Sequence, residues 1–181
     1  MINQNHIPFN KPYLSENNYR YINSLENNDQ LSGDGKFTNS ATSIIKGITG
    51  SCSPLLTHSC TAALEMSALL LDIKQGDEII MPSYTFVSTA NAFALRGGVP
   101  VFIDIRPDTL NIDDKQIEDA ITPKTKAIVV VHYAGVSCEM NTILELANKH
   151  SIPVIEDAAQ GIMAKYNGSP LGSIGTFGCL S

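Results

Sequence analysis

Ile152-Pro153-Val154-Ile155-Glu156-Asp157-Ala158-Ala159-Gln160-Gly161 joins an apolar run to a carboxylate and, three residues further on, a carboxamide. The run predicts a buried strand over 152–156. Open α/β sheets bind ligands at the carboxyl ends of their strands. Asp157 and Gln160 are therefore placed to project into such a crevice. The competing reading is structural: an aspartate capping a helix that follows a buried strand, with its neighbour alongside.

Outward from this stretch, short apolar runs alternate with helix-period segments. Leu55-Leu56 reads as a strand leading into a helix over 61–71, which is rich in good helix formers. Gly76-Asp77 turns the chain into a strand over 78–81 that Pro82 closes. A helix over 86–96 ends at Gly97-Gly98. Residues 101–103 form the next strand, with Asp104 at its end, and Asp113-Asp114 open a helix with acidic residues suited to its dipole. The unbroken apolarity of 127–131 predicts a strand buried on both faces. Residues 139–150 are amphipathic, with Ile143, Leu144 and Ala147 on one side. Tyr166-Asn167-Gly168 carries a hairpin-turn signal.

The alternation predicts an α/β fold, a mostly parallel sheet with flanking helices. Residues 1–50 differ: they are polar and Asn-rich, with one helix candidate from Ser15 (Tyr19, Ile22, Leu25) and a loop Ser32-Gly33-Asp34-Gly35. They read as an N-terminal arm of the same domain, whose α/β body is 51–181.

A chain of 181 residues with 43% hydrophobic content has room for one sizeable core. Its net charge of −6 offers no basic face for nucleic acid. Cys52, Cys60, Cys138 and Cys179 form no CxxC pair, so free thiols in a reducing compartment are expected and no metal site is. The first residues lack the basic start and apolar core of a signal peptide, and no apolar run is long enough to span a membrane. A cytoplasmic protein is expected.

Thr57-His58-Ser59-Cys60-Thr61-Ala62 brings small polar residues to a helix start, where free backbone N–H groups and hydroxyls can cradle a phosphate. The same pattern also describes an ordinary N-cap. Pro82-Ser83-Tyr84-Thr85-Phe86 follows a strand end, where an aromatic can stack on a flat heterocycle; alternatively Phe86 simply starts a helix and packs on the core. His132-Tyr133 follows the strongest strand and is placed to line the same crevice. Gly172, Gly175 and Gly178 are spaced GxxGxxG with no helix after them, which does not suit a dinucleotide fingerprint. A phosphate cradle, a stacking ring and a buried carboxylate at successive strand ends suit one ligand, a phosphorylated cofactor with a positively charged ring nitrogen. Pyridoxal 5'-phosphate (PLP) is such a cofactor.

These residues resemble the DegT/DnrJ/EryC1/StrS sugar-nucleotide aminotransferases, of the aspartate-aminotransferase-like fold (PLP fold type I), from about Ile7 to Ser181. The most specific stretches are Ser59-Cys60-Thr61-Ala62-Ala63-Leu64, Met81-Pro82-Ser83-Tyr84-Thr85-Phe86 with the residues that follow, and Glu156-Asp157-Ala158-Ala159-Gln160-Gly161. Val131-His132-Tyr133-Ala134-Gly135 and Leu31-Ser32-Gly33-Asp34-Gly35 narrow it further. The resemblance implies that Cys60 and Thr61 hold the cofactor phosphate, Phe86 stacks on the pyridine ring, and Asp157 pairs with the ring nitrogen. It further implies that Gln160 touches the ring hydroxyl side and that Ser181 adds a phosphate contact. A dTDP-4-keto-6-deoxy-hexose would receive the amine, glutamate would donate it, and the complete enzyme would be a homodimer with a role in surface polysaccharide synthesis.

The Schiff-base lysine that the resemblance implies would lie a few residues beyond Ser181. No catalytic residue is therefore assigned within the chain, which reads as a truncated large domain, inactive alone. The twelve lysines and arginines sit in expected surface segments; only Lys36 adjoins a plausible site loop, where a solvated charge is the simpler reading. Three alternatives stand beside transamination: a non-catalytic cofactor-binding or subunit-pairing fragment, a dehydratase relative with histidine in place of the lysine, and a nicotinamide oxidoreductase, for which the required glycines are missing.

Overall fold

A computed structural model describes residues 11–27 and 32–181. The leader reading at residues 1–6, Ile7 and Leu31 lie outside the described residues. The chain divides into two compact units, residues 1–40 and 41–181.

In the first unit, helix α1 (Glu16–Asn23) starts where expected. The Ser15 N–H donates to Asn18 Oδ1 at 3.0 Å, satisfying a donor at the helix entry. Tyr21 meets Phe37 edge-on, with ring centroids 6.0 Å apart. Phe37 lies in helix α2 (Lys36–Thr49), which continues into the second unit.

The second unit runs α3 (Cys60–Leu70), β1 (Glu78–Pro82), α4 (Val87–Ala94), β2 (Val99–Ile103), α5 (Ile117–Ala120), β3 (Thr125–Val131), α6 (Met140–His150), β4 (Val154–Ala158), β5 (Lys165–Tyr166), β6 (Ser169–Pro170) and β7 (Phe177–Leu180). Five strands form one sheet in the order β2-β1-β3-β4-β7, every neighbouring pair parallel. From β1 the chain first goes outward to β2, then returns to the other side of β1 as β3. The order thus reverses between β1 and β3, which opens a crevice at their carboxyl ends.

Side chains alternate across the pleat, and the two cores follow that alternation. Ile79, Met81, Ala127, Val129 and Ile155 pack with Leu64 and Ala68 of α3 and Ala92 and Phe93 of α4. Ile80, Ile128, Val130 and Val154 pack with Ile117 of α5 and Met140, Ile143 and Ala147 of α6. Burial of each large aliphatic chain contributes roughly 1.5–3 kcal/mol, and β3 is covered on both faces as its apolar run predicts.

Several boundaries differ from expectation. Residues 53–57 form no strand: Leu55 is 70% exposed, and two leucines without alternation supply no face to bury. β4 starts two residues later than predicted, because Ile152 N–H still donates to Ala147 O and closes α6. It also runs later, so Asp157 lies within the sheet rather than after it, and no helix follows for it to cap. The helix expected at Asp113-Asp114 is a single 3₁₀ turn (Asp114–Gln116) followed by the four-residue α5. β7 was hidden by its shortness and its single glycine, Gly178. The hairpin signal is borne out: Asn167 (φ 48°) and Gly168 (φ 88°) turn β5 into the antiparallel β6. Among the described residues no helix is long and apolar enough to cross a membrane.

Candidate functional site

The carboxyl ends of β1, β3, β4 and β7, with the start of α3, enclose a cavity of about 350 Å³. Cys60, Thr61, Phe86, Asp157, Gln160 and Ser181 all line it, together with Ser59, Thr85 and Tyr133. The tertiary structure therefore brings together all six residues singled out in the sequence.

Asp157 is 5% exposed. Its Oδ2 accepts from the Thr89 hydroxyl at 2.6 Å, and its Oδ1 from Ala159 N–H at 3.3 Å and, weakly, from the Cys60 thiol at 3.9 Å. Thr89 Oγ1 lies 2.7 Å from Thr85 Oγ1. Every one of these donors is neutral, and no lysine, arginine or histidine pairs with Asp157 among the described residues. Burial, the charge of Asp157 and the hydrogen bond to it push the Cys60 thiol up to about 12. Cys60 therefore stays a neutral thiol.

Ser59 is the N-cap of α3 and its hydroxyl accepts from Ala62 N–H at 3.2 Å. The N-cap reading is thus correct for Ser59. It leaves the Cys60 and Thr61 N–H groups of the first turn without an intrahelical acceptor, at the cavity wall. Phe86 is the backbone cap of α4 but is 72% exposed. The alternative of a core-packed phenylalanine is therefore excluded; its ring is left standing at the cavity.

Gln160 Oε1 accepts from Ala134 N–H at 2.7 Å, which holds a left-handed residue (φ 54°) in the loop after β3. The amide N–H₂ of Gln160 remains available as a donor. His132 and Tyr133 both border the cavity, as expected. His132 is 1% exposed and its Nε2 is engaged with Glu156 Oε2 at 2.9 Å, while the Tyr133 hydroxyl lies 2.8 Å from that of Tyr84 and the rings 4.7 Å apart. That hydrogen bond spans the β1–β3 crevice and raises the Tyr133 phenol above its ordinary range. Asn111, 2% exposed, seats this loop by accepting from Tyr133 N–H and donating to Val136 O. Lys36 lies in the first unit, its ammonium 5.1 Å from the Phe37 ring centre.

Sequence reasoning missed Thr89, the Tyr84–Tyr133 pair and Asn111. The only local signal was the Thr85/Thr89 spacing of four across the start of α4, which brings the two hydroxyls within 2.7 Å of each other. A second hollow of about 650 Å³ adjoins the cavity at Ser59, Cys60 and Ser181, bordered by Leu55, Leu56, Leu70 and Phe177.

The fold is a parallel α/β domain with a cavity at the carboxyl ends of its strands. The chain belongs to the DegT/DnrJ/EryC1/StrS aminotransferase family, whose profile matches residues 12–181; this is a family of PLP-dependent enzymes. It is 38% identical over 175 residues to an uncharacterised protein of Methanocaldococcus jannaschii, covering 97% of this chain and 45% of that one. It is 37% identical over 170 residues to the UDP-4-amino-4-deoxy-L-arabinose–oxoglutarate aminotransferase of Shewanella sediminis, covering 94% and 44%. The X-ray structure of an aminotransferase from Psychrobacter cryohalolentis superposes with a TM-score of 0.88 at 34% identity, over 93% of this chain and 43% of that one. The chain thus spans a little under half the length of these relatives.

Proposed function

We propose that the cavity binds PLP and that the whole protein aminates the keto group of a sugar nucleotide. The carrying observation is Asp157: a buried carboxylate, held by neutral donors only, that opens on a cavity. Such a charge calls for a cation from the ligand, and a protonated pyridine nitrogen supplies one. The other residues fit the same group. The free Cys60 and Thr61 N–H donors at the positive end of α3 suit its phosphate, with Ser181 as a further contact. The exposed Phe86 ring offers a face for its flat ring, and the Gln160 amide a donor for its ring oxygen.

When bound, PLP supplies an electron sink for the carbon that loses its proton. Asp157 would keep the proton on the ring nitrogen, and Thr89 fixes the carboxylate's orientation through its hydrogen bond to Oδ2. Phe86 would pack against the ring face and the α3 N-terminus would hold the phosphate.

For the substrate, the reading is a dTDP-4-keto-6-deoxy-hexose with glutamate as donor, as in dTDP-4-amino-4,6-dideoxygalactose transaminase, feeding surface polysaccharide synthesis, with a homodimer as the working enzyme. Family membership and the sugar-nucleotide aminotransferase among the relatives support this reading. The test is to express the whole reading frame, load it with PLP, and supply glutamate with a panel of dTDP- and UDP-linked 4-keto sugars. Amino-sugar product from the dTDP substrate is expected. Absence of amino product from every keto sugar, with PLP bound, would overturn the assignment.

A further inference from the structure

Gly172, Gly175 and Gly178, whose spacing suits no dinucleotide, close around a carboxylate on the other face of the sheet. Gly172 has φ +80°, and a methyl group at Gly178 would overlap the Gly172 carbonyl. A methyl at Gly175 would lie 2.7 Å from Val154 O. Only bare backbone fits these approaches, and they fold residues 172–175 over the end of Glu156. Glu156 Oε2 accepts from Gly172 N–H at 2.9 Å, and Oε1 accepts from Ile174 N–H and Gly175 N–H, each at 2.6 Å.

The fourth donor is His132. Its Nδ1 accepts from Cys138 N–H at 3.2 Å, so the ring proton sits on Nε2 and is donated to Glu156 Oε2 at 2.9 Å. Both side chains are 0% exposed. Burial alone would raise the Glu156 carboxyl, but His132 and the three backbone donors outweigh it and hold the group below its ordinary range.

Glu156 and Asp157 are successive residues of β4 and so face opposite sides of the sheet. From the clasped loop the chain enters β7, which pairs Glu156 with Gly178 and Asp157 with Cys179 and brings Ser181 to the cavity. In the other direction, His132 anchors the segment that carries Tyr133.

We propose that Glu156 is a positioning residue for the cofactor site: its carboxylate gathers the glycine loop 172–175 and thereby sets where β7 delivers Ser181 against the cavity. The proposal rests on the cavity being the PLP site. It predicts that the clasp and PLP are coupled, and coupling between two sites is reciprocal.

The test is hydrogen exchange resolved at Gly172, Ile174 and Gly175, with PLP titration, on the whole protein. In the wild type these loop amides should exchange as slowly as those of β4, and PLP should slow them further. In Glu156→Gln the carboxamide must set its own N–H₂ against an N–H donor. The loop amides should then exchange about tenfold faster or more and PLP bind about tenfold more weakly, while β3 and α3 stay protected. Gly178→Ala, which leaves Glu156 intact, should reproduce both changes. An opened loop with wild-type PLP affinity overturns the proposal. So do wild-type loop amides that exchange like unstructured peptide or ignore PLP, and that arm needs no variant. Slow amides in a protein that binds no PLP would instead strike down the cofactor reading, and the positioning role with it.

Discussion

Asp157→Asn separates the charge of the carboxylate from its shape. In the wild type, Oδ2 takes the Thr89 hydroxyl at 2.6 Å and Oδ1 takes Ala159 N–H at 3.3 Å. The asparagine oxygen can keep the Ala159 contact. Its N–H₂ can donate to Thr89 Oγ1, which turns to donate to Thr85 Oγ1, 2.7 Å away. One hydrogen bond is exchanged for another, so the apo protein should lose no more than about 1 kcal/mol of stability. What disappears is the charge facing the ring nitrogen. A hydrogen bond to a charged group contributes about 1.5–3 kcal/mol, so PLP affinity should fall by about 10- to 150-fold. Turnover should fall further, by several powers of ten, because the protonated ring nitrogen matters most when the substrate carbon carries electron density. PLP titration by absorbance, melting of the apo protein and turnover measure the three effects separately. An Asp157→Asn protein that melts, binds and turns over like the wild type would refute the pairing of Asp157 with the cofactor.

Thr61→Ala should weaken PLP binding by about 1 kcal/mol at most, for a lost hydroxyl bond. Thr61→Pro should weaken it clearly more, since proline removes a first-turn N–H that has no intrahelical partner yet is tolerated by the helix; equal titration curves would contradict a backbone cradle. Phe86→Ala should leave the melting temperature unchanged, because the ring is 72% exposed, and cost about 0.5–1.5 kcal/mol of PLP affinity. Alkylation at neutral pH should label Cys52, which is exposed, and spare Cys60, Cys138 and Cys179, whose thiols are pushed up to about 12 mainly by burial; peptide mapping by mass spectrometry reads this directly. Because Glu156 is lowered in the fold from its ordinary 4.5, its stabilisation is present above that pH and is lost as pH falls through the folded value. Exchange protection of the 172–175 amides should follow that course, and Glu156→Gln should flatten it.

The strands that lie in the sheet interior were legible because their apolar runs are long enough to be read without a partner, as at 127–131. Proline and glycine set their limits locally. Leu55-Leu56 misled because apolarity alone does not make a strand, and β7 was missed because Phe177-Gly178-Cys179-Leu180 carries little strand propensity of its own; its place comes from pairing with β4. Five of the candidate residues were legible since each sits at or just after a recognisable strand end or helix start, and strand ends converge in any open parallel sheet; Ser181, which follows the missed β7, was indicated only by the family resemblance.

By itself, then, the sequence determined the α/β alternation, the family and which side chains stand at the strand ends, all properties of short contiguous stretches. Tertiary structure alone decided what each of them touches. Thr89 meets Asp157 across 68 residues, Tyr84 meets Tyr133 across 49, and His132 meets Glu156 across 24. Those partners are chosen by the order of strands in the sheet and by which face each residue takes. Hence Asp157 opens on a cavity and pairs with no cation among the described residues, while Glu156, one residue earlier, is sealed by four donors on the opposite face.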